Sequence, residues 1–186
     1  TGATRLLMFR AINTYNGTAI GSGATLDATV LKNMFANTGS PFSGTANAAL
    51  NTSGIQLRNV TASSLSATDA EKERVTIEAA FPAIATASKS VSATASEGKA
   101  GKLGTYLVDE KGIEWAQIIQ KSLIGAFQLD YIGNVLLSDK NLSANNSALV
   151  TGKNYTQLEQ NWDEICGIIT VNPVYGAKAT STSSGE

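Results

Sequence analysis

Two pairs of acidic residues are spaced so that they could form a chemical site. Glu110 and Glu114 are four residues apart, and so are Glu159 and Asp163. Residues with this spacing lie on one face of a helix, so each pair would place two carboxylates side by side. Carboxylate oxygens are the ligands that Ca²⁺ and Mg²⁺ prefer, so two such helices packed together could hold a divalent cation. The alternative interpretation is that these are charges at helix N-termini and on a solvated face, with no metal bound.

Asp130 is an acidic residue on a helix face that is otherwise apolar. In a helical projection it falls among Ile119, Leu123, Ala126 and Leu137. A buried carboxylate needs a partner or a shifted pKa. We therefore predict that Asp130 is buried and paired with a basic side chain or with backbone and hydroxyl donors. The alternative is a functional acid or a ligand-binding group, because perturbed carboxylates concentrate at functional sites.

The chain has no histidine, which removes several kinds of site. Ser-His-Asp and Cys-His catalysis and histidine ligation of zinc or haem all need that residue. Cys166 is the single cysteine, so it has no partner for an intramolecular disulfide, and its apolar neighbours predict a small buried hydrophobe. The net charge of −1 gives no basic patch for nucleic acid. We expect no cofactor and no nucleic-acid partner.

One stretch is predicted to organise the rest of the chain. Residues 112–137 contain no proline and are apolar almost all round, which is typical of a buried helix. Glu114, Lys121 and Asp130 interrupt the stretch, so it is not expected to span a membrane. We predict one long helix over residues 112–137, at the centre of an all-α helical bundle.

Other segments with helical patterns would pack around this helix. Further helices are predicted over residues 1–15, 25–37, 66–89 and 154–171. Asn16 and Gly17 would end the first of them, because glycine often follows the last turn of a helix. Pro82 would kink or break the third near Ala80. Residues 88–104 are expected to form an exposed, mobile loop.

A single domain accounts for most of the chain. Residues 1–176 are predicted to form one helical-bundle domain, and residues 177–186 are interpreted as a Ser/Thr-rich tail or linker. The chain begins at Thr1 without a signal peptide, so we interpret it as processed or as the front part of a longer protein. The low charge and the many Ser, Thr, Asn, Ala and Gly residues favour a secreted or cell-surface protein.

Four segments together resemble a known family. They are TGATRLLM at residues 1–8, LNTSGIQL at 50–57, GTYLVDEKG at 104–112 and QLEQNWDE at 157–164. In this order and spacing they resemble a bacterial envelope family known only as domain of unknown function 4856. The resemblance implies an all-helical domain, usually in a lipoprotein of Bacteroidota, with a lipid anchor outside this chain.

The same resemblance suggests a more distant similarity to imelysin-like envelope proteins. Those proteins are helical bundles often linked to iron uptake, and this chain would correspond to one half of such a bundle. Imelysin-like proteins carry a motif with a histidine, which this chain lacks. Members of the resembled family are longer, so a missing C-terminal half is one expected partner.

These observations lead to three functional hypotheses. The first is a non-enzymatic protein of the outer membrane or cell surface that binds a ligand or another envelope protein, within an iron- or nutrient-uptake system. The second is a structural or assembly subunit of a surface layer or filament. The third is a metal-dependent, imelysin-like hydrolase. Its ligands or acid–base groups would be Glu110, Glu114, Glu159, Asp163 and Asp130. We expect the first.

Overall fold

The computed structural model describes residues 1–44 and 47–169, which are mostly helical. In chain order the elements are α1 (Gly2–Ser22), α2 (Ala28–Ala36), a 3₁₀ turn (Ala48–Thr52), α3 (Leu57–Val60), α4 (Ala67–Ser88), β1 (Gly101–Leu103), β2 (Tyr106–Val108), α5 (Trp115–Leu123), two π-helical segments (Ile124–Leu129 and Tyr131–Leu136), α6 (Asp139–Leu142) and α7 (Gln157–Ile169). The predicted all-α class is confirmed, with one small hairpin added. Among the described helices, none is both long and apolar enough to cross a bilayer. The predicted tail at residues 177–186 lies outside the described part of the chain.

The core is built around α1 as much as around the helix predicted to be central. α1 contacts α2, α3, α5, α7 and β2. It buries Leu6, Met8, Phe9, Ile12 and Ala19. It also continues past its predicted end to Ser22, because the packing of its later turns overrides the local stop signal of an asparagine followed by a glycine.

The helix predicted over residues 112–137 is continuous but starts later and changes geometry. It begins at Trp115 and passes from α to π geometry at Ile124. A π-helix bonds each N–H to the carbonyl five residues back, so its turns are wider and a projection at 3.6 residues per turn loses phase. The helix is also not buried on all sides: Ile118, in its α-helical part, is 46% exposed, and Leu129, in its π-helical part, is 68% exposed.

α4 follows its predicted bounds closely. Ser66 caps its N-terminus, where the Ser66 hydroxyl accepts a hydrogen bond from the N–H of Asp69 at 3.2 Å. The helix runs without interruption through Pro82 to Ser88, so of the predicted kink or break near Ala80, the break does not occur. Pro82 lies on the exposed side of the helix, and the buried side chains of Phe81 and Ile84 beside it anchor both turns in the core.

The segment predicted as a mobile loop leads into an ordered hairpin. β1 and β2 pair antiparallel, with Gly101 opposite Val108 and Leu103 opposite Tyr106. A Cβ on Gly101 would lie 2.6 Å from the carbonyl oxygen of Ala93, so only glycine fits where the preceding loop crosses the strand. Strands of three residues are too short to show a clear alternation, which is why the pattern did not reveal them.

α1 and α7 pack backbone to backbone near the start of α1. A Cβ on Gly167 would lie 2.5 Å from the backbone nitrogen of Ala3, so this crossing needs a glycine. Beside it, Arg5 of α1 forms an ion pair with Glu164 of α7, and both side chains are mostly buried. The Arg5 guanidinium also lies 5.2 Å from the ring centroid of Tyr131. This cluster joins α1, α7 and the second π segment.

Candidate ligand-binding pocket

The predicted metal pairs do not gather into one cluster among the described residues. Glu110 lies in the turn before α5 and Glu114 immediately precedes the first helical residue, so the two carboxylates do not share a helix face. Glu159 and Asp163 do share α7. Within residues 1–44 and 47–169, no group of three or more Asp, Glu, Cys or His residues is placed to hold a metal ion.

Glu159 takes part in the cap of α7. The N–H of Thr156 donates to Oε2 of Glu159 at 2.7 Å, and the N–H of Glu159 donates to Oγ1 of Thr156 at 3.2 Å. This reciprocal pair is a capping box, which satisfies two backbone donors that a helix N-terminus leaves unpaired. The carboxylate of Glu159 is therefore engaged in the helix cap.

Asp130 is half-buried rather than buried, which corrects one part of the prediction, but it is paired with backbone and hydroxyl donors as predicted. Its carboxylate accepts hydrogen bonds from the N–H of Ser64 at 3.2 Å, from the hydroxyl of Ser64, and from Nδ2 of Asn134 at 3.0 Å. The wider π turns move Asp130 away from the apolar face where a regular α-helix would place it. It joins the π-helical region to the turn after α3, where the N–H of Ala62 donates to the carbonyl of Ala126 at 2.6 Å.

Cys166 is exposed, contrary to the prediction that it is buried. It lies in α7 between Ile165 and Ile168, which are both buried. Those two residues are three apart and point into the core from one side of the helix, so the side chain between them points away. A run of consecutive apolar residues in a helix is therefore not buried at every position.

Asp109 is the acidic residue around which the start of α5 is organised. Its Oδ1 accepts from the N–H groups of Lys111 at 2.8 Å and Ile113 at 2.9 Å, and its Oδ2 accepts from Nε1 of Trp115 at 2.8 Å. Burial by itself would raise the pKa of Asp109, but these hydrogen bonds together lower it. This turn fixes where α5 begins and therefore where Glu114 and Gln117 lie.

A pocket of about 380 Å³ lies between α1, the hairpin and the first turns of α5. Its polar lining consists of Asn13, Asn16, Thr105, Glu114, Gln117 and Gln120. Its apolar lining includes Ile20, Ile84, Tyr106, Leu107 and Ala116. Gly17 and Gly21 complete the α1 wall, and a Cβ on either would meet no atom within 4 Å, so this side of the helix is open.

Asn16 is the residue that makes this pocket a candidate site. Its side chain is only 4% exposed, and neither Nδ2 nor Oδ1 has a hydrogen-bond partner among the described residues. A buried polar group without a partner is destabilising by about 1–3 kcal/mol, and such groups are rare in folded proteins. Both atoms are also shielded from solvent, so a molecule in the pocket that donates and accepts hydrogen bonds would satisfy this amide once the side chain turns toward it.

Glu114 sets the electrostatics of the pocket. Among the described residues that line the pocket, it carries the only formal charge. It is half-buried, and this burial raises the pKa of its carboxyl group. A negative group disfavours anionic ligands, so the pocket is suited to a neutral or cationic molecule.

A second hollow of about 520 Å³ adjoins the first along the seam between α1 and α5. The two share Asn13 and Gln120 in their linings. The second is also lined by Thr14, Lys121 and Gln128. Polar side chains of α1, of α5 and of the first π segment therefore also line the space beyond the first pocket.

Comparison with known proteins identifies the family. No curated protein and no solved structure matches the chain. The family model described as Domain of unknown function (DUF4856) matches residues 2–184, which includes α1, the hairpin and α5 and hence every wall of the pocket. The family resemblance of the four segments is confirmed, while the similarity to imelysin-like proteins and the source in Bacteroidota stay predictions. The chain belongs to the family described as Domain of unknown function (DUF4856).

Proposed function

We propose that this domain is a non-enzymatic binding protein whose ligand occupies the pocket between α1, the hairpin and α5. The observation that carries the proposal is the buried, unpaired carboxamide of Asn16. The pocket volume of about 380 Å³ lies within the range of roughly 300–1,000 Å³ found for small-molecule sites. A ligand in a pocket of this size would supply the hydrogen-bond partner that the amide of Asn16 lacks within the part of the protein that the structure describes.

The chemistry of the lining supports binding more than catalysis. Within the part of the chain that the structure describes, Glu114 is the only carboxylate that lines the pocket. The other polar side chains, apart from Thr105 and Tyr106, are carboxamides, which donate and accept hydrogen bonds but do not exchange protons near neutral pH. General acid–base catalysis uses groups that do exchange protons. Glu110, Glu159 and Asp163, which the hydrolase hypothesis would need, are not among the lining residues.

Replacing Asn16 by leucine tests whether the amide is kept for a ligand. We expect Asn16→Leu to raise the free energy of unfolding of the ligand-free domain by about 1–3 kcal/mol, because it removes an unpaired buried amide at similar side-chain size. Urea unfolding followed by circular dichroism measures the change. Asn13→Leu is the matched control: Asn13 lines the same pocket but is only half-buried, so a change within about 0.5 kcal/mol is expected. If Asn16→Leu is destabilising, the amide is already paired in solution and the proposal loses its main support.

We further propose that the domain acts at the outer membrane or cell surface, within an iron- or nutrient-uptake system. The low content of charged residues and the resemblance to envelope lipoproteins support this location. Fractionation of the native cells with immunodetection should recover the protein in the envelope fraction, and protease treatment of intact cells should remove it. Recovery with the cytosolic markers, protected from protease, would contradict the proposed location.

A further inference from the structure

The carboxamides of the pocket restrict the chemical class of its ligand. Asn13, Asn16, Gln117 and Gln120 each present a carbonyl oxygen that accepts and an NH₂ group that donates hydrogen bonds. Carboxylates and phosphates only accept, and ammonium groups only donate, so either would leave one of the two buried amide atoms of Asn16 unpaired. A hydroxyl group does both through one atom, and several hydroxyls on one ring could serve several carboxamides.

The charge of the pocket also favours a neutral ligand with hydroxyl groups. In the first pocket, an anionic ligand would meet Glu114 without a compensating cation among the lining residues that the structure describes. An ammonium ligand could pair with Glu114, but burial disfavours the charged form of that carboxyl group, and the carboxamide NH₂ groups would find no acceptor. A neutral, hydroxyl-rich molecule avoids both conflicts.

Tyr106 supplies a flat apolar surface at the pocket. It lies in β2, lines the pocket, and is 52% exposed. A half-exposed aromatic ring beside hydrogen-bonding side chains offers one apolar face and one polar tip. The ring of a sugar matches this arrangement, because one face carries mainly C–H groups while its edge carries hydroxyls.

The second hollow bears on ligand length. It begins at Asn13 and Gln120, where the first pocket ends, and its lining again contains side chains that bind hydroxyls, among them Thr14 and Gln128. A ligand of two or more linked units could therefore continue along the seam between α1 and α5, where the lining also includes the cationic side chains of Arg10 and Lys121.

We infer that the ligand is a neutral oligosaccharide, with one sugar ring stacked on Tyr106 and hydrogen-bonded to Asn16 and the next ring lying beyond Asn13 and Gln120. This inference rests on the proposed binding function of the pocket. It assigns the class of the ligand and leaves the identity of the sugar to experiment.

The side-chain NH₂ signals of Asn16 and of the lining glutamines provide a direct readout in ¹H–¹⁵N NMR spectra. The sugar probes are neutral disaccharides of glucose, galactose, mannose and N-acetylglucosamine. The comparison probes are glucuronic acid, glucosamine and glycylglycine, which carry an anion, a cation and a peptide group. We expect at least one neutral disaccharide to shift the Asn16 signal, with a dissociation constant on the order of 1 mM or tighter.

Variants distinguish binding in the pocket from weak association elsewhere. We expect Asn16→Leu and Tyr106→Ala each to weaken binding of the active disaccharide about tenfold or more, which corresponds to about 1.4 kcal/mol. Trp162→Ala is the matched control, because Trp162 is an aromatic residue that is 49% exposed but does not line the pocket. Its affinity should equal that of the unaltered protein. Equal affinity in Tyr106→Ala would overturn the stacked arrangement.

The probes also separate failure of this inference from failure of the proposed function. If glucosamine, glucuronic acid or glycylglycine shifts the Asn16 signal and no neutral disaccharide does, the oligosaccharide is wrong while the binding function of the pocket stands. If no probe shifts that signal, both the inference and the proposed function are overturned.

Discussion

Glu164→Ala is expected to lower the free energy of unfolding by about 3–5 kcal/mol, the cost of leaving one member of a buried ion pair alone. The residue left behind is Arg5, whose guanidinium is mostly buried between α1, α7 and Tyr131. Burial lowers the pKa of Arg5 but leaves it charged near neutral pH, so the guanidinium would have to stay charged without its carboxylate. Urea unfolding measures the loss.

Two comparisons test the cause of that loss. Asp163→Ala removes the neighbouring carboxylate on the exposed side of α7 and should change the free energy of unfolding by no more than about 0.5 kcal/mol. The double variant Arg5→Met, Glu164→Leu removes both charges and should recover most of the stability, because well-packed apolar residues often replace a buried pair without loss. A double variant as unstable as Glu164→Ala alone would show that the loss does not come from an unpaired charge.

Asp109→Ala is expected to lower the free energy of unfolding by about 3 kcal/mol or more. The substitution leaves the N–H groups of Lys111 and Ile113 and the indole N–H of Trp115 without their acceptor, and each hydrogen bond to a charged group contributes about 1.5–3 kcal/mol. Glu110→Ala, at the exposed adjacent position, is the control and should have little effect. A loss in Asp109→Ala as small as that expected for Glu110→Ala would mean that the turn tolerates loss of the Asp109 carboxylate.

The contribution of Asp109 should also depend on pH. Its hydrogen bonds hold the pKa below the ordinary value of 3.8 in the folded protein. A carboxyl group whose pKa is lowered by folding stabilises the folded state above its unfolded pKa, and loses this effect as the pH falls through the folded pKa. Unfolding curves measured below pH 3.8 should therefore show a smaller difference between Asp109→Ala and the unaltered protein than curves at neutral pH. A difference that stays constant would contradict this linkage.

The parts of the fold that sequence predicts well are those set by local periodicity. α2, α4 and α7 each carry an apolar stripe and lie close to their predicted positions, since a helix with one buried side must repeat apolar residues every three or four positions. Asn16 and Gly17 failed as a stop signal because capping preferences are worth about 1 kcal/mol, less than the burial of the following turn can supply.

The candidate pocket was beyond the reach of sequence patterns. Its walls come from residues 13–21, Ile84, residues 105–107 and residues 114–120, which are brought together only by the tertiary fold. Glu114 was predicted as a metal candidate, yet its neighbours in the pocket are carboxamides rather than the other predicted acids. Asn16 stands out because its side-chain amide has no hydrogen-bond partner among the described residues, and the spacing of residue types in a sequence cannot reveal this. The sequence offered one sign of the pocket. One side of α1 carries Asn13, Asn16 and Gly17, which indicates that this side of the helix faces something polar.

The two π segments bear on how members of this family can differ in length. A π turn closes its hydrogen-bonded ring over one residue more than an α turn. The stretch from Ile124 to Leu136 therefore holds extra residues inside a continuous helix. A relative that lacks one residue here can keep the same helix by tightening a π turn to an α turn. In comparisons between family members, a gap in this helix is thus compatible with an intact core, whereas a gap in α1 would rotate Asn16 away from the pocket.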